Sequence, residues 1–519
     1  MGYQQAGCVY NEGPVKYLKP VNMNIYMIIT ILICLSTLAG LWTIFKKAGH
    51  RGWEAIIPFY NIYIWLKVID KPIWWYIFIL IPFINVFTFY LMVVETLKCF
   101  RKDGLGQQAL GVLFPFVFLP YLGFSYNEQY IHPAKLPVVK KSALREWADA
   151  IIFAVIAASV IRAFLLEAYT IPTSSMEKSL LVGDYLFVSK LTFGPRIPQT
   201  PIAFPFAHHT LPLTENVKSY VEWLNLPYYR YPGLRDIRNN DVVVFNYPEG
   251  DTVALQLPNQ SYYSLVREAG RDRVWDNYDV VSRPVDKREN YIKRCVGIPG
   301  DTFEMRDGNI YINGQLLDNP ENVQHNYWVE TDGRPLSGRL IDRHDITEWR
   351  QVNQETYLLA MTPEIAGQMS SLDHITRVEK NTSTQGRGER YIFPHDPDFN
   401  WNEDNFGPIY IPARGETIDI GPDNIAIYER VIGVYEGNEL LTDNGFVYIN
   451  GQQADSYTFE MDYYWMVGDN RHNSADSRFW GFVPEDHIVG RAMFVWLSLS
   501  PDRGFPANIR FNKSMRVIR

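Results

Sequence analysis

A serine hydroxyl is a poor nucleophile until a base takes its proton. Three stretches of this 519-residue chain hold parts for that chemistry. The first is Ile171-Pro172-Thr173-Ser174-Ser175-Met176, just past an apolar segment that ends near Leu166. The second is Tyr291-Ile292-Lys293-Arg294, and the third runs from Gly468-Asp469-Asn470-Arg471-His472 to Ser474, Asp476 and Arg478. Histidine is the usual base, yet none of the ten histidines sits in a context that suggests that role. A lysine could serve if burial disfavoured its charged form and so lowered its pKa. On a strand, alternation puts Tyr291, Lys293 and Cys295 on one face and Ile292 and Arg294 on the other, which suits an apolar surround for the amine. Ser-Lys pairs are a known variant of the serine triad. Taken singly, the blocks read as a loop, an exposed strand edge and a turn.

The elements that must position these groups fall into two regions. Apolar residues crowd the first 166 positions, with Trp74, Trp75, Tyr76 and Trp147 placed beside apolar runs as in interfacial belts. The run 25–45 has 21 residues, long enough to span a bilayer, and Lys46, Lys47 and Arg51 follow it. Further spans are expected at 73–94, at 109–126 (shortened by Pro115 and Pro120) and at 150–166. The stretch 55–68 is too short to cross and is expected in the interface. Lys140, Lys141 and Arg145 place the start of the last span in the cytoplasm and everything after Leu166 outside. Three full spans before it would put Lys98, Arg101 and Lys102 outside, against the same rule, so 109–126 as a re-entrant segment is one of the open arrangements.

From about Tyr169 the pattern changes to short β runs separated by turns, such as Tyr185–Val188 and Asp241–Phe245. Two passages, 307–315 and 444–452, echo each other, each with an Asn-Gly turn at its end. The stretches 196–235 and 318–440 look inserted, the second with a helix expected near 363–369 and an acidic-aromatic loop at 395–404 that lacks regular calcium-ligand spacing. The net charge of −8 argues against a nucleic-acid partner. The four cysteines, Cys8, Cys34, Cys99 and Cys295, form neither a disulfide framework nor a CxxC pattern, and Cys295 reads as a packing residue.

Together, and in this order after an outward-going span, the three blocks resemble the bacterial type I signal peptidases. The stretch 238–248 adds a fourth matching block. The resemblance implies an N-terminal α-helical transmembrane region followed by a mostly antiparallel β catalytic domain with large insertions. Its expected parts are a multi-span anchor over 1–146, an exit helix over 147–166 and a peptidase domain over 167–519. It implies that Ser175 is the nucleophile, Lys293 the general base, and Ser474 the hydroxyl that orients the lysine. Asp476 and Arg478 would support the site, while the Ser175 N–H and the Thr173 hydroxyl would form the oxyanion hole. Ser174 stands where the family often has glycine, and Ser175 is chosen from its place before Met176. The implied activity is removal of signal peptides from exported precursors after small residues at −1 and −3, with Ile171, Met176, Leu180, Tyr291 and Ile292 at the matching pocket positions. The implied partners are exported precursors, the lipid bilayer and, through the N-terminal spans, other export components. The location is the cytoplasmic membrane, multi-pass, with the catalytic domain on its outer side. Ser-Lys chemistry requires no cofactor.

Two other classes of reading stand beside this one. A non-catalytic membrane scaffold would use the insertions to bind partners, but it does not need Ser175, Lys293, Ser474 and Asp476 together. A self-cleaving Ser-Lys regulator is disfavoured by the spans and by the lack of a DNA-binding module.

Overall fold

The computed structural model describes residues 23–80, 84–137, 142–214 and 217–518. Cys8, Lys140, Lys141, Arg519 and positions 81–83 of the expected second span lie outside the described residues. Two compact units divide between Val160 and Ile161.

The N-terminal unit is helical: α1 (Met23–Lys47), α2 (Tyr60–Val68), α3 (Trp75–Leu80), α4 (Ile84–Cys99), α5 (Leu105–Leu113), α6 (Pro115–Phe124) and α7 (Ala143–Phe164), whose last turn belongs to the second unit. Helix α1 packs closely on α6 because Gly40 lets the backbones approach, and a Cβ there would come within 2.6 Å of Pro120 N. The Lys47 ammonium donates to the carbonyls of Leu122, Ser125 and Glu128, each at 2.7 Å, and so satisfies acceptors left open at the end of α6. Within the stretch expected in the interface, Ile56, Ile57, Phe59 and Tyr60 are exposed, while α2 buries Ile64, Trp65, Leu66 and Val68 in this unit's core, and Trp65 Nε1 donates to Thr96 Oγ1 at 2.8 Å. Its apolar residues lie on a helical face that α4 and α1 cover.

Among the described residues one helix, α7, is by itself long and apolar enough to cross a membrane. Helices α5 and α6 pass the same test only as a pair bent by 112°, which is a broken span or a re-entrant loop. Pro115 at the first position of α6 and the non-helical Phe114 account for the break. The expected first span falls within α1, and the second takes in positions 81–83, outside the described residues.

The second unit is built on an eight-stranded antiparallel sheet. Its strands are β1 (Leu166–Thr170), β2 (Asp184–Ser189), β3 (Val242–Asn246), β4 (Asn290–Gly297), β5 (Tyr463–Val467), β6 (Val483–Pro484), β7 (Ile488–Ser498) and β8 (Arg516–Val517). The order is β1-β2-β7-β3-β4-β5-β6, with β8 on β7. Strand β3 is a run of Val and Phe buried at every position, as a central strand covered on both faces must be. Val242 and Val244 face one core with Leu186, Val188 and Val495, while Val243 and Phe245 face another with Cys295, Met466 and Trp480.

The echoed passages are hairpins. Asp307-Gly308, Asn313-Gly314, Asn444-Gly445 and Asn450-Gly451 all carry positive φ, from 49° to 81°, the left-handed pair that a two-residue type I′ turn demands. Within 318–440, residues 325–380 form a separate small lobe. Its strands Trp349–Gln351, Thr356–Met361, His325–Thr331 and Ile375–Lys380 lie in that order, backed by helices Gly338–Arg343 and Pro363–Ser370. Val329, Leu359, Met361 and Met369 fill its own core. Further along, Phe406–Tyr410 pairs with Thr302–Arg306 and belongs to the hairpin layer, not to the lobe. Stretch 196–235 is an irregular ribbon with isolated bridges such as Ala203 to Tyr220 and Thr210 to Lys218.

Candidate active site

Lys293 lies in the middle of β4, opposite Val243 of β3, so its stem leaves the sheet on the face that carries Val243, Phe245, Tyr291 and Cys295. The side chain is buried, and Nζ stands 2.6 Å from Ser175 Oγ and 3.0 Å from Ile292 O. Burial without a paired carboxylate lowers the lysine pKa from 10.5 to about 8. The negative charges of Asp476 and Asp469 pull it back upward and Arg478 pushes it down, but desolvation is the larger cause. A neutral amine 2.6 Å from a serine hydroxyl can accept its proton, which is the geometry a general base needs.

Ser175 sits in a tight loop between β1 and β2. Ile171 exchanges backbone bonds with Gly183 and Asp184 at 2.9 Å, which ties the base of the loop. Ser174 O accepts from Glu177 N at 2.9 Å, and Ser175 O accepts from Asn470 N at 3.1 Å. Asp469 N donates to the Met176 sulfur at 3.4 Å. The third block thus lies directly against the serine loop. Gly468 makes this approach possible, because a Cβ there would stand 2.6 Å from Ser175 O and 2.2 Å from Ser474 Oγ. Among the described residues no protein acceptor takes the Ser175 N–H or the Thr173 hydroxyl, and Thr173 is exposed. Both donors of the expected oxyanion hole are therefore open.

Asp476 caps the helical turn Ser477–Trp480 and accepts from Gly468 N at 3.0 Å. Arg478 holds the same carboxylate with two bonds, at 2.9 and 2.8 Å. Burial, the largest single influence, pushes the Asp476 pKa up, but the Arg478 charge and the hydrogen bonds from Arg478, Gly468 N and Ser474 together outweigh it, so the pKa lies below the ordinary value. Arg478 also donates to Arg471 O at 2.6 Å and Glu403 O at 3.0 Å, which fixes the path of the block. Ser474 Oγ lies beside Asp476 and makes a long 3.5 Å bond to Ala475 O, and no hydrogen bond joins it to Lys293.

The expected pocket residues divide. Ile171, Met176 and Leu180 are fully buried with Leu186 and Val188, so they form a floor beneath the loop. Ile292 keeps partial exposure beside that core, and Tyr291 stacks on Tyr247 at 4.6 Å between ring centres. Cys295 is buried, donates to Gly297 O at 3.4 Å and has its pKa pushed well up by burial, which suits packing and not attack.

Several groups were not legible as site residues. Arg294, next to the lysine, pairs with Asp469 by two bonds of 2.8 and 2.6 Å and so joins β4 to the third block. Their adjacency to Lys293 and Gly468 was the available signal. His472 is a clasp: its Nδ1 accepts from Asn326 N at 3.1 Å, so Nε2 carries the hydrogen and donates to Asp404 at 3.0 Å. That contact explains the acidic-aromatic loop, where Asn402, Asp404 and Asn405 are buried turn residues. Among the described residues no group of His, Cys, Asp and Glu is arranged to hold a metal.

The profile of the family described as signal peptidase, peptidase S26, matches residues 144–363 and 377–497 of this chain. A second family, of unknown function (DUF5684), matches residues 53–133. Signal peptidase I of Buchnera aphidicola subsp. Baizongia pistaciae is 22% identical over 357 residues, covering 68% of this chain and 77% of that protein. Signal peptidase I of Haemophilus influenzae is 24% identical over 362 residues, covering 69% and 72%. Signal peptidase I of Bacillus licheniformis is 27% identical over 199 residues, covering 38% and 66%.

Proposed function

The chain belongs to the signal peptidase family, peptidase S26, and from that premise we propose a membrane-anchored serine endopeptidase that removes N-terminal signal peptides from exported precursors. The observation that carries the mechanism is the 2.6 Å contact between the buried Lys293 amine and Ser175 Oγ. As Ser175 Oγ attacks the scissile carbonyl carbon, its proton passes to neutral Lys293. The carbonyl oxygen gains negative charge facing the Ser175 N–H and the Thr173 hydroxyl. Lys293 then gives the proton to the leaving amine, and an acyl-enzyme remains. Water attacks that ester with Lys293 again as base, which frees Ser175 and the new carboxyl terminus. Asp476, Arg478 and Ser474 hold the third block against this pair.

Ile292 stands beside the floor of Ile171, Met176 and Leu180, an apolar surface that suits small side chains at −1 and −3, and Tyr291 lies on the other face of β4 beside Lys293. Helix α7, at 22 residues and ~1.5 Å per residue, spans a bilayer core and leads into β1. Basic Arg145 near its start favours a cytoplasmic beginning, with the peptidase domain on the outer face of the cytoplasmic membrane. The N-terminal helices would add anchoring in a multi-pass arrangement and offer a surface to other export components.

The test uses full-length protein in detergent and a precursor with an Ala-x-Ala site. The unchanged protein is expected to cut after the −1 Ala, and Ser175→Ala and Lys293→Ala to be inactive. Cleavage that survives Ser175→Ala would overturn the assignment of the nucleophile, with Ser174 the next candidate.

A further inference from the structure

The lobe of residues 325–380 touches the rest of the catalytic domain at the serine loop itself. Its strand Trp349–Gln351 is preceded by Glu348, whose carboxylate accepts two amide bonds from the third block: Asn473 Nδ2 at 2.7 Å and Asn470 Nδ2 at 3.0 Å. Each of those amides also holds Ser174. Asn470 Nδ2 donates to Ser174 O at 3.2 Å, and Asn473 Nδ2 donates to Ser174 Oγ at 3.1 Å. On the other side of the nucleophile, Lys178 Nζ donates to Asp345 O at 2.5 Å and His344 O at 3.1 Å. Lys178 has φ of 67°, in the left-handed region that a residue with a Cβ rarely adopts. Glu177, between these points, lies beside the Thr347 side chain.

We propose that segment 344–348 of the lobe braces the serine loop from both ends, and that Glu348 is a positioning residue for Ser175. An Asn side chain has two N–H groups and turns freely unless both are engaged. Glu348 engages one on each asparagine, which directs the other at Ser174. The residue beside the nucleophile is then fixed through its carbonyl and its hydroxyl. Ser174 thereby acquires a role that does not compete with Ser175: its hydroxyl is an acceptor in the brace. This inference rests on the Ser175–Lys293 reading above.

The experiment measures kcat and KM of full-length protein on the Ala-x-Ala precursor, with pH profiles, for the unchanged form and for Glu348→Ala, Glu348→Gln, Lys178→Met and Ser175→Ala. Loosening an attacking atom by a fraction of an ångström acts on the chemical step, so Glu348→Ala is expected to lower kcat about tenfold with KM within about twofold. Glu348→Gln keeps one acceptor oxygen and should fall between. Lys178→Met should move kcat in the same direction. The charges that act on Lys293 are those of Asp476, Asp469 and Arg478, so the pH limb should stay in place in the Glu348 variants. The inference is overturned if correctly melting Glu348→Ala retains kcat within about twofold, or if its loss merely tracks a lower folded fraction. Ser175→Ala separates the two failures. If it still cleaves, the underlying reading falls; if it is inactive while Glu348→Ala matches the unchanged form, only the brace falls.

Discussion

Lys293→Met should abolish cleavage and yet make the protein more stable at neutral pH. The lysine pKa is 10.5 when free and about 8 when folded, so burial holds the proton less tightly than water does. Below about pH 8 both states carry the proton and the folded state bears the whole cost. At 1.36 kcal/mol per pH unit, the gap between 10.5 and about 8 is about 3 kcal/mol. As pH rises from about 8 toward 10.5, the folded protein releases the proton before the unfolded chain does, and stability rises with it. Methionine has a similar length and no charge. Replacement removes the cost but also the 2.6 Å bond to Ser175, worth about 1 kcal/mol. The net gain at pH 7 is about 2 kcal/mol, or roughly 2–5 °C in the midpoint of thermal unfolding. The assay is thermal unfolding of both forms in the same detergent at pH 7 and pH 9.5. Other buried groups titrate equally in the two proteins and cancel in the difference. A methionine form that is no more stable at pH 7, or whose advantage is undiminished at pH 9.5, would refute the claim that desolvation sets this pKa.

The same pKa predicts activity. The kcat/KM should rise about tenfold per pH unit up to a midpoint near 8 and then level, because only the neutral amine takes the serine proton; a profile flat from pH 6 to 9 counts against Lys293 as base. Gly468→Ala should cost at least about tenfold in kcat and about 1–3 kcal/mol of stability, since its Cβ meets the Ser175 carbonyl, a backbone atom that cannot swing aside. His472→Ala removes the clasp to Asp404 and Asn326 and should cost about 1–3 kcal/mol, read as a lower unfolding temperature and faster proteolytic nicking near residues 381–405.

What the sequence disclosed, and what it did not, follows the reach of each interaction. The Asn-Gly turns at 313–314 and 450–451 were legible because a type I′ turn is decided by the two residues in it. The surround of Lys293 was legible because strand alternation is local, and it placed the stem beside Cys295 and Tyr291 as found. The brace through Glu348 was not, since it links positions more than 120 residues apart through asparagines that alone read as turn formers. Segment 55–68 was legible only in part, because its apolar, aromatic composition suits a lipid surface and a helical core equally, and only packing against α1 and α4 shows which side chains the core takes. The apolar residues beside the serine read as pocket positions, and the packing that buries Met176 and Leu180 beneath the loop is set by distant strands that the local sequence does not show.

The buried charges around the serine explain why one of them can serve as a base. Arg294 is matched by Asp469 and Arg478 by Asp476, each through two short bonds. Such pairs give the block a fixed shape. Lys293 and Arg471 are the cations of this cluster without an ion pair of their own among the described residues. Burial acts on both, but an arginine lowered to about 10 is still fully charged at pH 7, and Arg471 donates from Nε to Gly468 O and from Nη2 to Asn319 Oδ1. A lysine lowered to about 8 is about one-tenth neutral at that pH, roughly 300 times more than free lysine. The same desolvation therefore leaves an arginine structural and makes a lysine reactive. The residue type at position 293, and not the burial alone, separates this site from an ordinary buried ion network.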